Sequence, residues 1–247
     1  IEDASELLLA FRQIKTPAEI ELIREATRIT DAGGRAFLEW ARPGISEREL
    51  QAQVEAALKR AGSDEVSFAT QVSSGIRTEQ VVAFATDTLL ADNTLVQLDC
   101  GGSYHGYRGD LSRVVVLGWP AGRLRDMLEV TAQTYDQCLE LMRPGVRCSA
   151  IAQLAVRIAE QHGLTDYLYR SPNHEAGFVG HGIGLSYTEP PELHPANDAV
   201  LQENMVIVLE PILTDPSVGG VKIEDPVLIT AHGPERLSAL PIRTWRV

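Results

Sequence analysis

The sequence predicts an α+β fold in which one run of elements occurs twice. Three observations predict it. Arg42-Pro43-Gly44-Ile45 has a counterpart in Arg143-Pro144-Gly145-Val146. Helical patterns flank both stretches, and the helix after each stops at a glycine, Gly62 or Gly163, so that both pairs of landmarks keep one spacing. In each half a β-prone run then ends in a carboxylate: Leu95-Val96-Gln97-Leu98 before Asp99, and Met205-Val206-Ile207-Val208-Leu209 before Glu210. An internal duplication explains all three.

The elements follow in order. Residues 5–12 form a short amphipathic piece. Thr16-Pro17-Ala18-Glu19 starts the first strong helix, because Thr16 can cap, Pro17 suits the first turn and Glu19 can reach back. Ile20, Ile23, Ala26, Ile29 and Phe37 share its apolar face, which Thr27 and Thr30 interrupt. Ser46-Glu47-Arg48-Glu49 is a second capping box and opens a helix ending near Gly62. Residues 64–94 mix β-prone pieces, at 66–72 and 81–85, with turns. Residues 95–99 and 114–117 read as strands joined by a Gly/Tyr-rich connection. Helices are expected again at about 122–142 and 149–162. The halves divide at about residue 120, into 14–120 and 121–247. Residues 1–13, which begin with Ile1, read as a tail or linker from a missing N-terminal region.

Composition narrows the function. A chain of 247 residues with 44% apolar and 23% charged side chains can bury one large core or two small ones. A net charge of −12 argues against nucleic acid, which needs a basic face. No apolar run is as long as a membrane span, so no membrane partner is expected. Three cysteines, Cys100, Cys138 and Cys148, make an odd count without a CxxC spacing. No disulfide framework is expected, and a cytoplasmic location is. Cys100 reads as a small buried residue beside a turn.

Asp99, Asp110, His181, Glu210 and Glu224 carry the chemistry. A carboxylate at the end of a strongly β-forming run costs desolvation energy unless a positive charge meets it. Taken singly, each has an ordinary reading as a turn, cap or core residue. Four such acids with the imidazole of Gly180-His181-Gly182-Ile183-Gly184 predict two divalent metal ions in one pocket, and hence a metal-dependent hydrolase. A mostly oxygen ligand set favours Mn²⁺, with Co²⁺, Zn²⁺ or Fe²⁺ as alternatives. A thiolate-rich zinc site is excluded by the cysteine spacing.

Five motifs resemble one family. They are Leu98-Asp99-Cys100-Gly101, Gly106-Tyr107-Arg108-Gly109-Asp110-Leu111-Ser112-Arg113, Gly180-His181-Gly182-Ile183-Gly184-Leu185, Leu209-Glu210-Pro211 and Lys222-Ile223-Glu224-Asp225. Over nearly the whole chain they are similar to the catalytic domain of the pita-bread metallopeptidases. Ile14-Lys15-Thr16-Pro17-Ala18-Glu19-Ile20 resembles the start of that domain in the Xaa-Pro dipeptidase (prolidase) and aminopeptidase P branch. The resemblance implies a curved, mostly antiparallel sheet with flanking helices and pseudo-twofold symmetry. It implies that 14–247 is the catalytic domain, that the substrate is a small Xaa-Pro peptide, and that the protein is a homodimer. It assigns Asp99 to one metal, Asp110 and Glu224 to bridging positions, and His181 and Glu210 to the other metal. A metal-bridging hydroxide would attack the scissile carbonyl, with His181 and Glu210 as catalytic residues and Glu210 as proton shuttle.

Two departures stand out. The family carries a histidine upstream of the first aspartate, where this chain reads Val81-Val82-Ala83-Phe84. It also carries His-Glu-x-Pro after the glycine-rich histidine motif, where this chain has Thr188-Glu189-Pro190-Pro191. Thr188, His194 and Tyr187 are therefore the substrate-binding candidates. Tyr104 and Tyr107 are further pocket candidates, while His105 and His174 are read as non-catalytic. Arg77 and Arg113 are candidate anchors for a substrate carboxylate. Two other functions stay open: a non-peptide amide hydrolase or lyase on the same metal scaffold, and an inactive binding module.

Overall fold

Helix α1 (Ser5–Gln13) buries none of its residues. The computed structural model that shows this describes residues 3–169 and 176–245. Helix α2 (Pro17–Trp40) opens with the expected capping box: Thr16 Oγ1 accepts from the Glu19 N–H at 3.3 Å, and Glu19 accepts from the Thr16 N–H at 2.8 Å. Its apolar face is buried, and so are the two threonines that interrupt it. Thr27 and Thr30 donate to the carbonyls of Ile23 and Ala26 at 2.9 and 2.8 Å, which satisfies their hydroxyls inside the core. Thr30 Oγ1 also accepts from the Gly102 N–H at 2.9 Å, tying α2 to the segment after Asp99.

Helix α3 (Glu47–Arg60) starts where Ser46 Oγ accepts from the Glu49 N–H at 3.0 Å. Glu47 turns inward and its side chain is fully buried. Helices α4 (Gly122–Leu141) and α5 (Cys148–Gln161) are the second-half counterparts. The turns before α3 and α5 make the same bonds. The N–H groups of Gly44 and Gly145 donate to Leu90 and Leu201, each at 2.9 Å, and those leucines donate back to Ile45 and Val146, each at 2.8 Å. Gly62 and Gly163 both have positive φ, 105° and 66°, where a left-handed residue closes a helix.

Strands β1 (Gln71–Ser74), β2 (Leu95–Cys100) and β5 (Leu111–Val116) form an antiparallel sheet in the order β1-β2-β5. The hairpin β3 (Ser103–Tyr104) and β4 (Tyr107–Arg108) lies between β2 and β5 in sequence. In the second half, β6 (Gly180–Gly182), β7 (Val206–Leu209), β10 (Asp225–Thr230) and β11 (Gly233–Arg236) form an antiparallel sheet ordered β11-β10-β7-β6. Strands β8 (Ile212–Asp215) and β9 (Gly219–Lys222) pair as a separate hairpin. The β-prone segment at 81–85 forms no strand, and side chains hold it instead: Gln71 Oε1 accepts from the Ala83 N–H, and Glu47 accepts from the Thr86 N–H.

Each sheet packs on the helices of its own half, and two further clusters cross the halves, Val114 with Met127 and Ile158 in one and Ile23 with Val208 in the other. Phe37, Leu50, Leu98 and Leu111 belong to one core cluster, and Tyr135, Ile151, Ile207 and Val227 to another. Each such side chain contributes roughly 1.5–3 kcal/mol on burial. The sheets meet where Ser112 and Glu224 exchange backbone hydrogen bonds, at 3.3 and 3.1 Å. Arg113 locks this seam. Its fully buried guanidinium donates to Asp225 Oδ1 at 2.7 Å, to the Glu224 carbonyl at 2.9 Å and to the Ser112 carbonyl at 2.8 Å. Cys100, Cys138 and Cys148 are free and buried.

Candidate metal centre

Both halves deliver acids to one pocket. Asp99 lies on β2 opposite Ser112, and Asp110 immediately precedes β5. The two segments approach closely at Gly101 and Gly109. A Cβ on Gly101 would stand 2.0 Å from the Gly109 carbonyl oxygen, and one on Gly109 would stand 2.2 Å from Thr30 Oγ1. Only glycine fits either position. His181 sits on β6 opposite Val208, while Glu210 directly follows β7 and Glu224 lies between β9 and β10.

All five side chains are buried. His181 Nε2 is 3.3 Å from Glu210 Oε1 and 3.9 Å from both Asp110 Oδ2 and Glu224 Oε1. One donor atom each from Asp110, His181 and Glu224 falls within 4.8 Å of the others. Ser112 Oγ donates to Glu224 Oε2 at 2.6 Å. Asp99 faces the ammonium of Lys222, which is also 3.4 Å from Glu224 Oε2.

Burial pushes the Asp99 carboxyl up to about 6, with Lys222 opposing and Glu224 adding to the shift. Burial and the charges of Glu224 and Asp99 hold Asp110 well above the usual carboxylate range. Glu224 is raised as well, chiefly by burial. Burial works against a charged His181, yet the hydrogen bond and charge of Glu210, with Glu224, carry it up to about 8. Lys222 and His181 leave this much negative charge undercompensated. Asp99 Oδ1 and Asp110 Oδ1 are buried with no hydrogen-bond partner. Unpartnered carboxylate oxygens around an imidazole are the donor set that a hard or borderline dication requires, so the residues fit divalent metal ions.

The acids open onto a cavity of ≈ 300 Å³. Tyr187 and Thr188 line it, whereas His194 lines a neighbouring cavity that Thr188 also reaches. Arg77 and Arg113 are absent from its walls and pair with Glu47 and Asp225. Tyr107 Oη donates to Glu19 at 2.9 Å, and the Tyr104 ring packs edge-on against His105. His174 lies outside the described residues. Sequence reasoning missed Lys222, although a signal was present: Lys222 and Glu224 are two apart in extended chain, so their side chains share a face. It also missed Phe68, which no local pattern marks, while Val82 and Phe84, noted only for the histidine they lack, line the cavity as well.

The sequence profile of metallopeptidase family M24 matches residues 21–231. The chain belongs to metallopeptidase family M24. Among curated relatives of this M24 domain, the Xaa-Pro dipeptidase of Pyrococcus furiosus is 35% identical over 227 residues, covering 92% of this chain and 63% of that protein. A putative dipeptidase of Bacillus subtilis is 35% identical over 238 residues, covering 96% of this chain and 64% of its own. The M24 domain thus spans less than two thirds of these relatives' length. Prolidase from Pyrococcus furiosus superimposes with a TM-score of 0.91 at 33% identity, over 97% of this chain and 69% of that one. X-Pro aminopeptidase from Thermotoga maritima gives 0.90 at 27%, over 98% and 66%. The M24 domain therefore has the pita-bread fold. Among the described residues, no helix is long and apolar enough to cross a membrane.

Crowded acids make the metal-free M24 domain sensitive to pH. The Asp110 carboxyl titrates higher in the folded chain than in the unfolded chain. Its contribution to stability is full below the ordinary aspartate range and is lost as pH rises through the raised value. In chelator at pH 8, Asp110→Asn should unfold at a higher urea concentration than the parent, and the gap should close as pH falls toward 4. Equal midpoints at pH 8 would remove the electrostatic account of this site.

Proposed function

We propose that this M24 domain hydrolyses Xaa-Pro dipeptides or short Xaa-Pro peptides with the help of two divalent metal ions, Mn²⁺ before Co²⁺, Zn²⁺ or Fe²⁺. One observation carries the reading. Donor atoms of Asp110, His181 and Glu224 lie within 4.8 Å of one another, Asp99 and Glu210 line the same cavity, and Asp99 and Asp110 each have a buried oxygen without a hydrogen bond. The names of the relatives support the substrate class.

Asp99, Asp110, His181, Glu210 and Glu224 would hold the ions. When bound, they supply the Lewis acidity that ionises water near neutral pH and polarises a carbonyl. The chain's residues do the rest. Ser112 and the Arg113–Asp225 pair fix Glu224 from behind. Lys222 holds Asp99 in place and offsets part of the acid charge. Glu210, whose Oε1 is 3.3 Å from His181 Nε2, would take a proton from the attacking water and return it to the leaving amine. Tyr187 and Thr188 contact the substrate from the opposite wall, and His194 serves a longer one in the adjoining cavity. The same reading takes residues 14–247 as one catalytic domain of two related halves, in a cytoplasmic homodimer.

A second reading rests on the two histidine departures. Val82 and Thr188 both line the cavity, so its substrate wall offers no imidazole at either place. That favours a non-peptide amide as substrate for the same centre. Both readings are tested by removing metal with chelator, adding back Mn²⁺, Co²⁺ or Zn²⁺, and assaying Xaa-Pro dipeptides, longer Xaa-Pro peptides and small amides. Metal-restored cleavage of Xaa-Pro bonds is expected. Restored cleavage of amides alone would replace the first reading by the second.

A further inference from the structure

The wall facing the acids is apolar and is held by a buried carboxylate. Val82 and Phe84 are 61% and 60% exposed, yet both line the metal cavity, together with Phe68 and Tyr187, whose rings lie 5.4 Å apart. An exposed apolar lip beside a polar centre marks a binding surface. The segment that carries Val82 and Phe84 belongs to no strand, so its position depends on side-chain bonds.

Gln71 Oε1 accepts from the Ala83 N–H at 3.2 Å within that segment, and Glu47 fastens its end at Thr86. The Glu47 carboxylate accepts from Ser74 Oγ at 2.7 Å, from the Thr86 N–H at 3.0 Å and from Thr86 Oγ1 at 2.8 Å, and it pairs with Arg77. Arg77 in turn donates to the Phe84 carbonyl at 2.8 Å. The chain of contact runs from α3 through Arg77 to the lip. These bonds also hold Glu47 below the usual carboxylate range against the cost of burial. A buried charge satisfied this fully fixes one conformation of whatever it binds.

We propose that Glu47 and Arg77 are positioning residues for substrate selection: they hold the Val82–Phe84 lip against the metal cavity, so that the site selects amide substrates presenting an apolar, uncharged group to it. The inference rests on the function proposed above for the substrate's reactive bond. Neither Glu47 nor Arg77 is among the residues that line the cavity, and Arg77 reaches its wall through the Phe84 carbonyl. Their effect passes through Phe84.

The test compares Phe-Pro with Asp-Pro on the Mn²⁺-loaded protein, using Arg77→Ala, Phe84→Ala, the double variant and the conservative Glu47→Gln. Affinity is read as KM where a peptide is turned over and as a calorimetric Kd where it is not. Arg77→Ala and Phe84→Ala should each weaken Phe-Pro about tenfold, the scale of one lost aromatic contact. Asp-Pro affinity, kcat and metal content should stay within a factor of two or so. In the Phe84→Ala background, Arg77→Ala should have no further effect, because the two act through one contact. Glu47→Gln, which keeps an acceptor for Thr86, should retain most of the preference. Additive losses, or equal losses for Phe-Pro and Asp-Pro, would overturn the proposal. If Arg77→Ala does not fold, Phe84→Ala decides, since its exposed side chain leaves the core intact, and an unchanged Phe-Pro affinity there overturns it equally. Absence of turnover for every peptide would count against the proposed function alone, because the Kd values would still report on the lip.

Discussion

Glu224→Ala lowers kcat by more than about a hundredfold and lowers bound metal at the same time. Outer partners of metal ligands typically cost about 10–100-fold when removed, and Glu224 is itself one of the converging donors. It stands 3.9 Å from His181 Nε2, its second oxygen accepts from Ser112, and its backbone joins the two sheets. The backbone role survives the substitution. Removing one of four crowded acids relieves repulsion in the metal-free chain, so loss of activity cannot be put down to loss of fold. Steady-state assays with metal analysis on the same samples check the prediction. A variant that is active with a full metal complement would refute the assignment of Glu224.

Arg113→Met gives the largest loss of stability. It removes the nearer cation from a fully buried pair and leaves Asp225 only the Arg236 guanidinium, 3.7 Å from an Oδ2 that lacks a hydrogen bond. Breaking one side of such a pair costs about 3–5 kcal/mol, against about 5–15 kcal/mol for a whole domain. Urea unfolding should show it directly. Because Arg113 also holds the Ser112 and Glu224 carbonyls, metal affinity should fall in the same variant. The double replacement Arg113→Met with Asp225→Leu should recover most of the stability, since no buried charge is then left alone. An Arg113→Met variant as stable as the parent would show that the seam is held elsewhere.

Much of this arrangement was legible in the sequence because it is local. The Thr16 capping box, the two Arg-Pro-Gly turns and the stop glycines act within a few residues, and the helices begin and end where they indicate. The four acids were legible because each ends or precedes a β-forming run, and His181 because glycines flank it. What was not legible depends on partners far away in the chain. Nothing local marks Glu47, in the first turn of α3, for burial, yet Ser74, Arg77 and Thr86 draw it inside. Residues 81–85 have β propensity but pair with no neighbouring strand, so side chains set their path. Arg113 reads as an anchor for substrate, and only the approach of Asp225 from the other half shows that it is structural. Thr27 and Thr30 break an apolar face on paper, while their bonds back to the helix carbonyls let them pack within it.

Metal stoichiometry at the converging acids decides what this centre is. The direct measurement is anomalous diffraction from crystals grown in Mn²⁺, with metal content determined on the same protein. Two manganese peaks among Asp99, Asp110, His181, Glu210 and Glu224, and two ions per chain in solution, are the predicted result. A metal-saturated crystal with no peak there, and protein that retains no ion after desalting, would contradict it.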